Sequence, residues 1–319
     1  MIRDFLLVFA FLFPAMTAAP AQETVPRDAP RTWATVPGIV PRMLTSADGT
    51  ALDYWPCFSP DGQTVLFSRT RDGQKSWELM RIAASGGEVA PFFSPPLPVS
   101  ATRADWGKNG KVAFTGTASD GSSSVWIADG DGNNAHSLTI SGTSNILYYP
   151  SWYPDGKSLA VTDASALITV RIDAAGGPAA KLTDRAQVMT GMSSVSPDGS
   201  TVVFAGQKNG GQPYNRGKNV LWLRTETGVT PLENPPVQGR TPVWSPDGKR
   251  IAFESDRGSP DGNYAIFIVN RDGTGLVQVT DYALNANHPV WSRDGKRMVF
   301  STGDPLGKKI STIAVIDLP

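Results

Sequence analysis

The sequence predicts an all-β chain folded as a six-bladed β-propeller, with four antiparallel strands in each blade. Three observations carry that prediction. A motif built around Ser-Pro-Asp-Gly recurs six times, its spacing is nearly constant, and the repeats fill the chain that follows an apolar leader. The clearest copies are PVWSPDGKRIAF from Pro242 and PVWSRDGKRMVF from Pro289. Three more begin at Pro56 (PCFSPDGQTVLF), Pro150 (PSWYPDGKSLAV) and Ser193 (SSVSPDGSTVVF), and a shortened one, ADWGKNGKVAF, begins at Ala104. The turn glycines Gly62, Gly110, Gly156, Gly199, Gly248 and Gly295 stand 48, 46, 43, 49 and 47 residues apart. A period of that size, holding four short strands, describes a propeller blade.

Each element of the unit has its own cause. In Ser-Pro-Asp-Gly, the proline presets φ for a type I turn, the aspartate bonds nearby backbone amides, and the glycine takes the left-handed conformation that closes a hairpin. The apolar runs on either side therefore pair antiparallel as first and second strands. After a variable loop, third strands are predicted over 77–82, 125–128, 168–172, 220–223, 265–269 and 310–316. Gly-rich turns follow at 85–87, 129–134, 175–177 and 272–275. Fourth strands ending in Leu-Thr or a similar pair are predicted over 136–139, 181–183 and 277–280.

The sixth unit stops after its third strand, while residues 39–45 read as an orphan fourth strand ahead of the first hairpin. Pairing 39–45 with 310–316 closes the ring and leaves no long exposed edge. Trp106, Trp152, Trp244 and Trp291, with Phe58 and Val195 in the other two copies, stand four residues before the turn glycines and are expected to pack between blades. Helical repeats fit badly. The longest stretch without Gly or Pro after the leader, 157–175, contains the β-branched run Ile168-Thr169-Val170 and no sustained 3.6 period.

Residues 1–21 read as a secretory signal: Arg3, nine apolar residues over 5–13, and small residues ending in Ala19-Pro20-Ala21. Residues 22–36 read as a linker and 37–319 as the propeller domain, so a periplasmic or secreted protein is expected, with no membrane span after cleavage. Lys and Arg total 29 and so do Asp and Glu, which leaves no basic footprint for nucleic acid or anionic lipid. The single cysteine, Cys57, permits neither an internal disulfide nor a Cys-based zinc site. With only His136 and His288 as further soft ligands, no metal and no cofactor is expected. Asp129-Gly130-Asp131-Gly132-Asn133 has the look of a calcium loop but falls where other blades turn, and it lacks a downstream bidentate Glu. Asp61, Asp155, Asp198, Asp247 and Asp294 read as turn formers. No G-x-S-x-G occurs, so no serine-hydrolase nucleophile and no catalytic residue is assigned.

The unit PxWSPDGKxIAF, followed by an apolar third strand, a DG-type turn and a terminal Leu-Thr, resembles the WD40-like PD repeat of the TolB propeller family over 37–319. The α/β domain that precedes the propeller in TolB has no counterpart in residues 22–36. Similar repeats occur in the propellers of prolyl-oligopeptidase-type enzymes and of some polysaccharide lyases. The TolB resemblance implies a monomeric, non-catalytic scaffold that binds an envelope protein, which in TolB is the peptidoglycan-associated lipoprotein of the Tol and Pal system. An alternative stays open: a propeller enzyme or small-ligand binder taking a carbohydrate or lactone in the central channel, where His288 stands beside Asn285 and Asn287.

Either function is expected on the face that carries the second-to-third and fourth-to-first connections, whose lengths vary most. The longest are 206–219 and 254–264. Tyr54, Arg69, Arg71, Tyr149, Tyr214, Arg216, Tyr264 and His288 are the candidate binding residues, because Tyr and Arg on adaptable loops are the usual material of protein-binding surfaces. Lys308 and Lys309 add basic charge in the sixth blade, and Glu254, Asp256 and Asp261 gather acidic charge on the rim of the fifth.

Overall fold

The computed structural model describes residues 34–36, 38–46, 50–71, 73–232, 238–303 and 311–319. The predicted secretory signal, most of the linker, and Lys308 and Lys309 lie outside the described residues. The described chain forms six antiparallel sheets of four strands each, one per repeat. The first strands are Ala51–Phe58, Ser100–Trp106, Leu147–Trp152, Val188–Val195, Arg240–Trp244 and Asn287–Trp291. Each touches the first strands of its neighbours around the ring, so these six line the central axis. The fourth strands are short, as little as Ala90–Pro91 or His136–Ser137. None of the described helices is long and apolar enough to cross a membrane.

The turn chemistry is repeated from blade to blade. Ser59, Ser196, Ser245 and Ser292 each donate their hydroxyl to the aspartate two residues on, at 2.5–2.6 Å. The same aspartates, Asp61, Asp198, Asp247 and Asp294, accept the amide two residues further along at 3.0–3.1 Å. The serine hydroxyl is the main cause that holds these carboxyls below the usual range. The six turn glycines have φ between 65° and 78°, a conformation that costs a side-chain-bearing residue about 1–2 kcal/mol. In the 129–134 turn the carboxylates serve the turn itself: Asp131 accepts the Asn133 amide at 2.9 Å, and Asp129 accepts the Asn134 side chain at 2.6 Å and pairs with Lys111.

The core lies between blades. Trp152 packs with Ala113, Val125 and Ile127 of the second blade as well as with its own. Trp244 joins Val203 and Leu221 of the fourth blade, and Trp291 joins Ala252 and Ile266 of the fifth. Phe58 meets Val299, Ile313 and Val315 of the sixth, across the point where the chain ends meet.

Ring closure follows the predicted pairing. Arg42–Met43 runs antiparallel to Thr312–Asp317, with Arg42 opposite Val315 and Met43 opposite Ala314. The Leu44 amide donates to the Ile313 carbonyl at 2.7 Å. The Arg42 guanidinium then donates to the Ala84 and Ser85 carbonyls of the first blade at 2.9 and 3.0 Å. Two parallel pairings had no signal in the repeat. Ile140–Ser141 runs beside Gly177–Pro178, tying the second blade to the third, and Ala34–Thr35 adds a fifth strand to the fifth blade beside Val277–Gln278.

Candidate functional site

Every first strand is interrupted by a bulge at the same place. The register shifts between Tyr54 and Cys57, Thr102 and Asp105, Tyr148 and Ser151, Thr190 and Ser193, Arg240 and Val243, and Asn287 and Val290. Seven residues before the six turn glycines stand Trp55, Arg103, Tyr149, Met192, Thr241 and His288. Five of the six are left-handed: Trp55 at 51°, Arg103 at 54°, Tyr149 at 57°, Thr241 at 47° and His288 at 53°. Such a φ is uncommon outside glycine and a marked outlier for a β-branched residue, and bulges of this kind re-aim side chains. The contacts these residues make run from blade to blade, which places them around the channel mouth on the loop face.

On one side of the mouth the indole Nε1 of Trp55 donates to Nε2 of His288 at 3.0 Å. An indole N–H can only donate, so Nε2 is an acceptor and the neutral imidazole carries its proton on Nδ1. The Tyr54 ring stands 4.7 Å from His288 and 4.9 Å from Trp55, and Trp77 lies 5.0 Å from Trp55. The Arg103 guanidinium sits 4.1 Å from the Trp55 ring and 4.8 Å from both Tyr148 and Tyr149, so it joins the first three blades.

On the other side Arg240 pairs with Glu254 at 2.8 Å and lies 4.1 Å over the Tyr264 ring. The second oxygen of Glu254 accepts the Thr241 hydroxyl at 2.6 Å and the His288 amide at 2.7 Å. Burial pushes the Glu254 carboxyl up, but Arg240, the Thr241 hydroxyl and the His288 backbone amide outweigh it, so the group stays below its usual value and ionised. Burial is also the main influence on His288; Glu254 opposes it, Arg240 and Arg103 reinforce it, and the pKa falls to about 4. Tyr214 accepts the Asn219 amide group at 2.8 Å, and its hydroxyl stands only 3.1 Å from where a β-carbon on Gly191 would lie. Burial raises the phenols of both Tyr214 and Tyr264.

No family model matches the chain. An uncharacterized protein of Agrobacterium fabrum, Atu1656, is 29% identical over 114 residues, which is 35% of this chain and 36% of that protein. The match therefore spans about a third of the relative's length. Among solved structures, one assigned to TolB from Agrobacterium tumefaciens has a TM-score of 0.58 at 19% identity, over 84% of this chain and 91% of the other. The chain has a TolB-like propeller fold. TolB from Acinetobacter baumannii gives 0.57 at 17% identity, over 85% of this chain and 65% of its own. A gluconolactonase of Xanthomonas campestris, XC5397, gives 0.62 at 13% identity, over 88% and 90%. At these identities the likeness is one of fold, and it is shared by TolB proteins and an enzyme.

Within this TolB-like ring the structure brings Tyr54, Tyr149, Tyr214, Tyr264 and His288 together. Tyr54 and Tyr149 belong to first strands and not to the outer loops, because the bulge turns them inward. Arg69 does not join them: it makes a bidentate pair with the buried Asp53 at 2.6 and 2.7 Å, which ties two strands of the first blade. Arg71 and Arg216 are exposed, and Arg216 borders the mouth closely enough to act on Tyr214 and Tyr264. Glu254 is not a rim acid; it is 1% exposed beneath Arg240. Trp55, Arg103 and Arg240 were missed by sequence reasoning, and the signal that finds the first two is their constant offset of seven residues from the turn glycine.

At the opposite end of the channel lies a recess of about 220 Å³ lined by Cys57, Asp105, Trp106, Trp152 and Arg293, among others. Arg293 stands where four of the other turns carry proline and the second carries Lys108, and it donates to the Trp106 carbonyl at 3.0 Å. Burial, then Asp105, pushes the Cys57 thiol up, which leaves it a poor nucleophile. Among the described residues no three His, Cys, Asp or Glu side chains converge as a metal site.

Proposed function

We propose that this chain is an exported, non-catalytic binding propeller of the cell envelope that holds a protein partner on its loop face, with the channel mouth at the centre of recognition. The observation that carries the reading is the convergence of Tyr54, Tyr149, Tyr214, Tyr264, Arg103 and Arg240 from five of the six blades. Aromatic and arginine side chains dominate the energetics of protein interfaces, and here stacking holds them in place before any partner arrives, so less entropy is lost on binding. The TolB resemblance supports an envelope protein as partner, with a peptidoglycan-associated lipoprotein the first candidate, and a monomeric, periplasmic or secreted ring.

Binding is favoured over catalysis because the acid–base groups of the mouth are already engaged. A general base must offer a lone pair to its substrate. Nε2 of His288 is taken by Trp55, one oxygen of Glu254 accepts the Thr241 hydroxyl and the His288 amide, and the other is ion-paired with Arg240. The likeness to a gluconolactonase brings a shared fold to the alternative of a carbohydrate or lactone enzyme, and no free acid–base pair at the mouth.

A photo-crosslinking residue placed at the exposed Arg216, on the loop face, or at the exposed Lys249, on the turn face, tests the reading in cells. The expected result is one discrete protein adduct from position 216, identified by mass spectrometry as an envelope protein, and none from 249. Adducts of equal yield from both faces, or none from 216, would overturn it.

A further inference from the structure

We infer that the channel mouth receives a carboxylate of the partner, either an acidic side chain or a C-terminal carboxylate, and that Arg103 binds it. This rests on the binding role proposed above and adds the chemistry of the contact. Inside the exposed rim, where Arg216 stands, the other charges of the mouth are balanced among the described residues. Arg240 is matched by Glu254 at 2.8 Å, Arg69 by Asp53 at 2.6 Å, and His288 is neutral. Arg103 has no carboxylate partner among the described residues, and its one hydrogen bond there runs from Nη1 to the Thr102 hydroxyl at 3.1 Å. Of the six residues at the bulge position it alone carries a charge.

The surroundings select the kind of anion. Trp55, Tyr148 and Tyr149 lie within 4.1–4.8 Å of the guanidinium carbon and limit how it can turn. A planar guanidinium held in this way presents its N–H edge as a fork, the shape that a carboxylate matches bidentately. Among the described residues the buried Nε of Arg103, Nε of Arg240 and Nδ1 of His288 are donors without a hydrogen-bond partner, and Oε1 of Glu254, ion-paired with Arg240, is an acceptor without one. A single uncompensated positive charge suits a monoanion, and aromatic walls suit the aliphatic part of a peptide. Trp55, Arg103, Tyr149, Met192 and His288 all keep partial solvent exposure, so the ring is reachable from the loop face.

The test uses the full chain and four probes in isothermal titration: N-acetyl-Ala-Glu-amide, whose only charge is the side-chain carboxylate, N-acetyl-Ala-Gln, whose only charge is the C-terminal carboxylate, the uncharged N-acetyl-Ala-Gln-amide, and inorganic phosphate. One of the two acidic dipeptides, which then names the source of the carboxylate, is expected to bind at least about tenfold more tightly than the neutral one, as a charged hydrogen bond allows, and more tightly than phosphate. Arg103→Gln should abolish the difference, and Arg103→Lys, which keeps the charge without the fork, should retain part of it. Circular dichroism of both variants separates lost binding from lost folding, and if Arg103→Gln does not fold, the Lys variant decides. Equal binding of all three dipeptides, an unchanged preference in a folded Arg103→Gln protein, or tighter binding of phosphate would overturn the assignment. Because the probes need no partner protein, a failed crosslinking experiment would leave this result standing, and the reverse also holds.

Discussion

His288 is neutral in the fold because burial outweighs the nearby Glu254 and because Trp55 occupies its Nε2. Its pKa is about 4 in the folded chain against 6.5 for the free group. Between those values the unfolded chain binds the extra proton and the folded chain does not. Stability from this residue is therefore complete above pH 6.5 and is lost as pH falls toward 4, to a limit of about 3 kcal/mol. His288→Gln keeps an acceptor for the Trp55 indole but does not titrate. Melting curves from pH 7 to 4 should accordingly show a shallower fall in Tm for the variant, and parallel curves would contradict the assignment. The left-handed backbone at Trp55, Arg103, Tyr149, Thr241 and His288 is a second residue-scale feature, since strain of roughly 1–3 kcal/mol per site persists only where the surroundings impose it.

At the scale of elements, turns and bulges differed in how far they could be read in advance. In Ser-Pro-Asp-Gly each residue has its own conformational reason, so the motif announces a tight hairpin where apolar runs flank it; the copy at Ser259 to Gly262, with Asp256-Arg257-Gly258 before it, lies in a loop. The bulge seven residues upstream is occupied by Trp, Arg, Tyr, Met, Thr and His, and no shared side chain betrays its left-handed φ. Tyr54 and Tyr149 were legible as candidates but assigned to loops, and Arg103 went unnoticed because it belongs to the degenerate repeat. Glu254 looked like a rim acid because the residues after it are polar; its burial depends on Arg240, fourteen residues earlier, and on the next blade. The closing strand, in contrast, was legible from the missing fourth strand of the last repeat. Arg42–Met43 bridges the sixth blade to the first through the Ala84 and Ser85 carbonyls. Removing the chain up to Thr45 should lower the melting temperature of the whole ring in one calorimetric transition. A separate, earlier transition with the remaining blades unaffected would show that the strand only caps its own blade.

For the molecule as a whole, the account separates two faces. The turn face is built from short, self-satisfied hairpins and is crossed by Arg293, which bonds the Trp106 carbonyl. The loop face gathers aromatic rings, the Arg240–Glu254 ion pair and the Arg103 guanidinium, which has no carboxylate partner among the described residues, on a scaffold whose core lies between blades and resists rearrangement. Recognition should therefore occur with little change in the ring itself. Hydrogen exchange of the protein, alone and bound to the partner recovered by crosslinking, tests this most directly. The account predicts added protection around residues 54–55, 102–103, 148–149, 214–219, 240–241 and 287–288, with the turns at 60–62, 197–199, 246–248 and 293–295 unchanged. Protection concentrated at those turns, with the channel mouth unaltered, would contradict it.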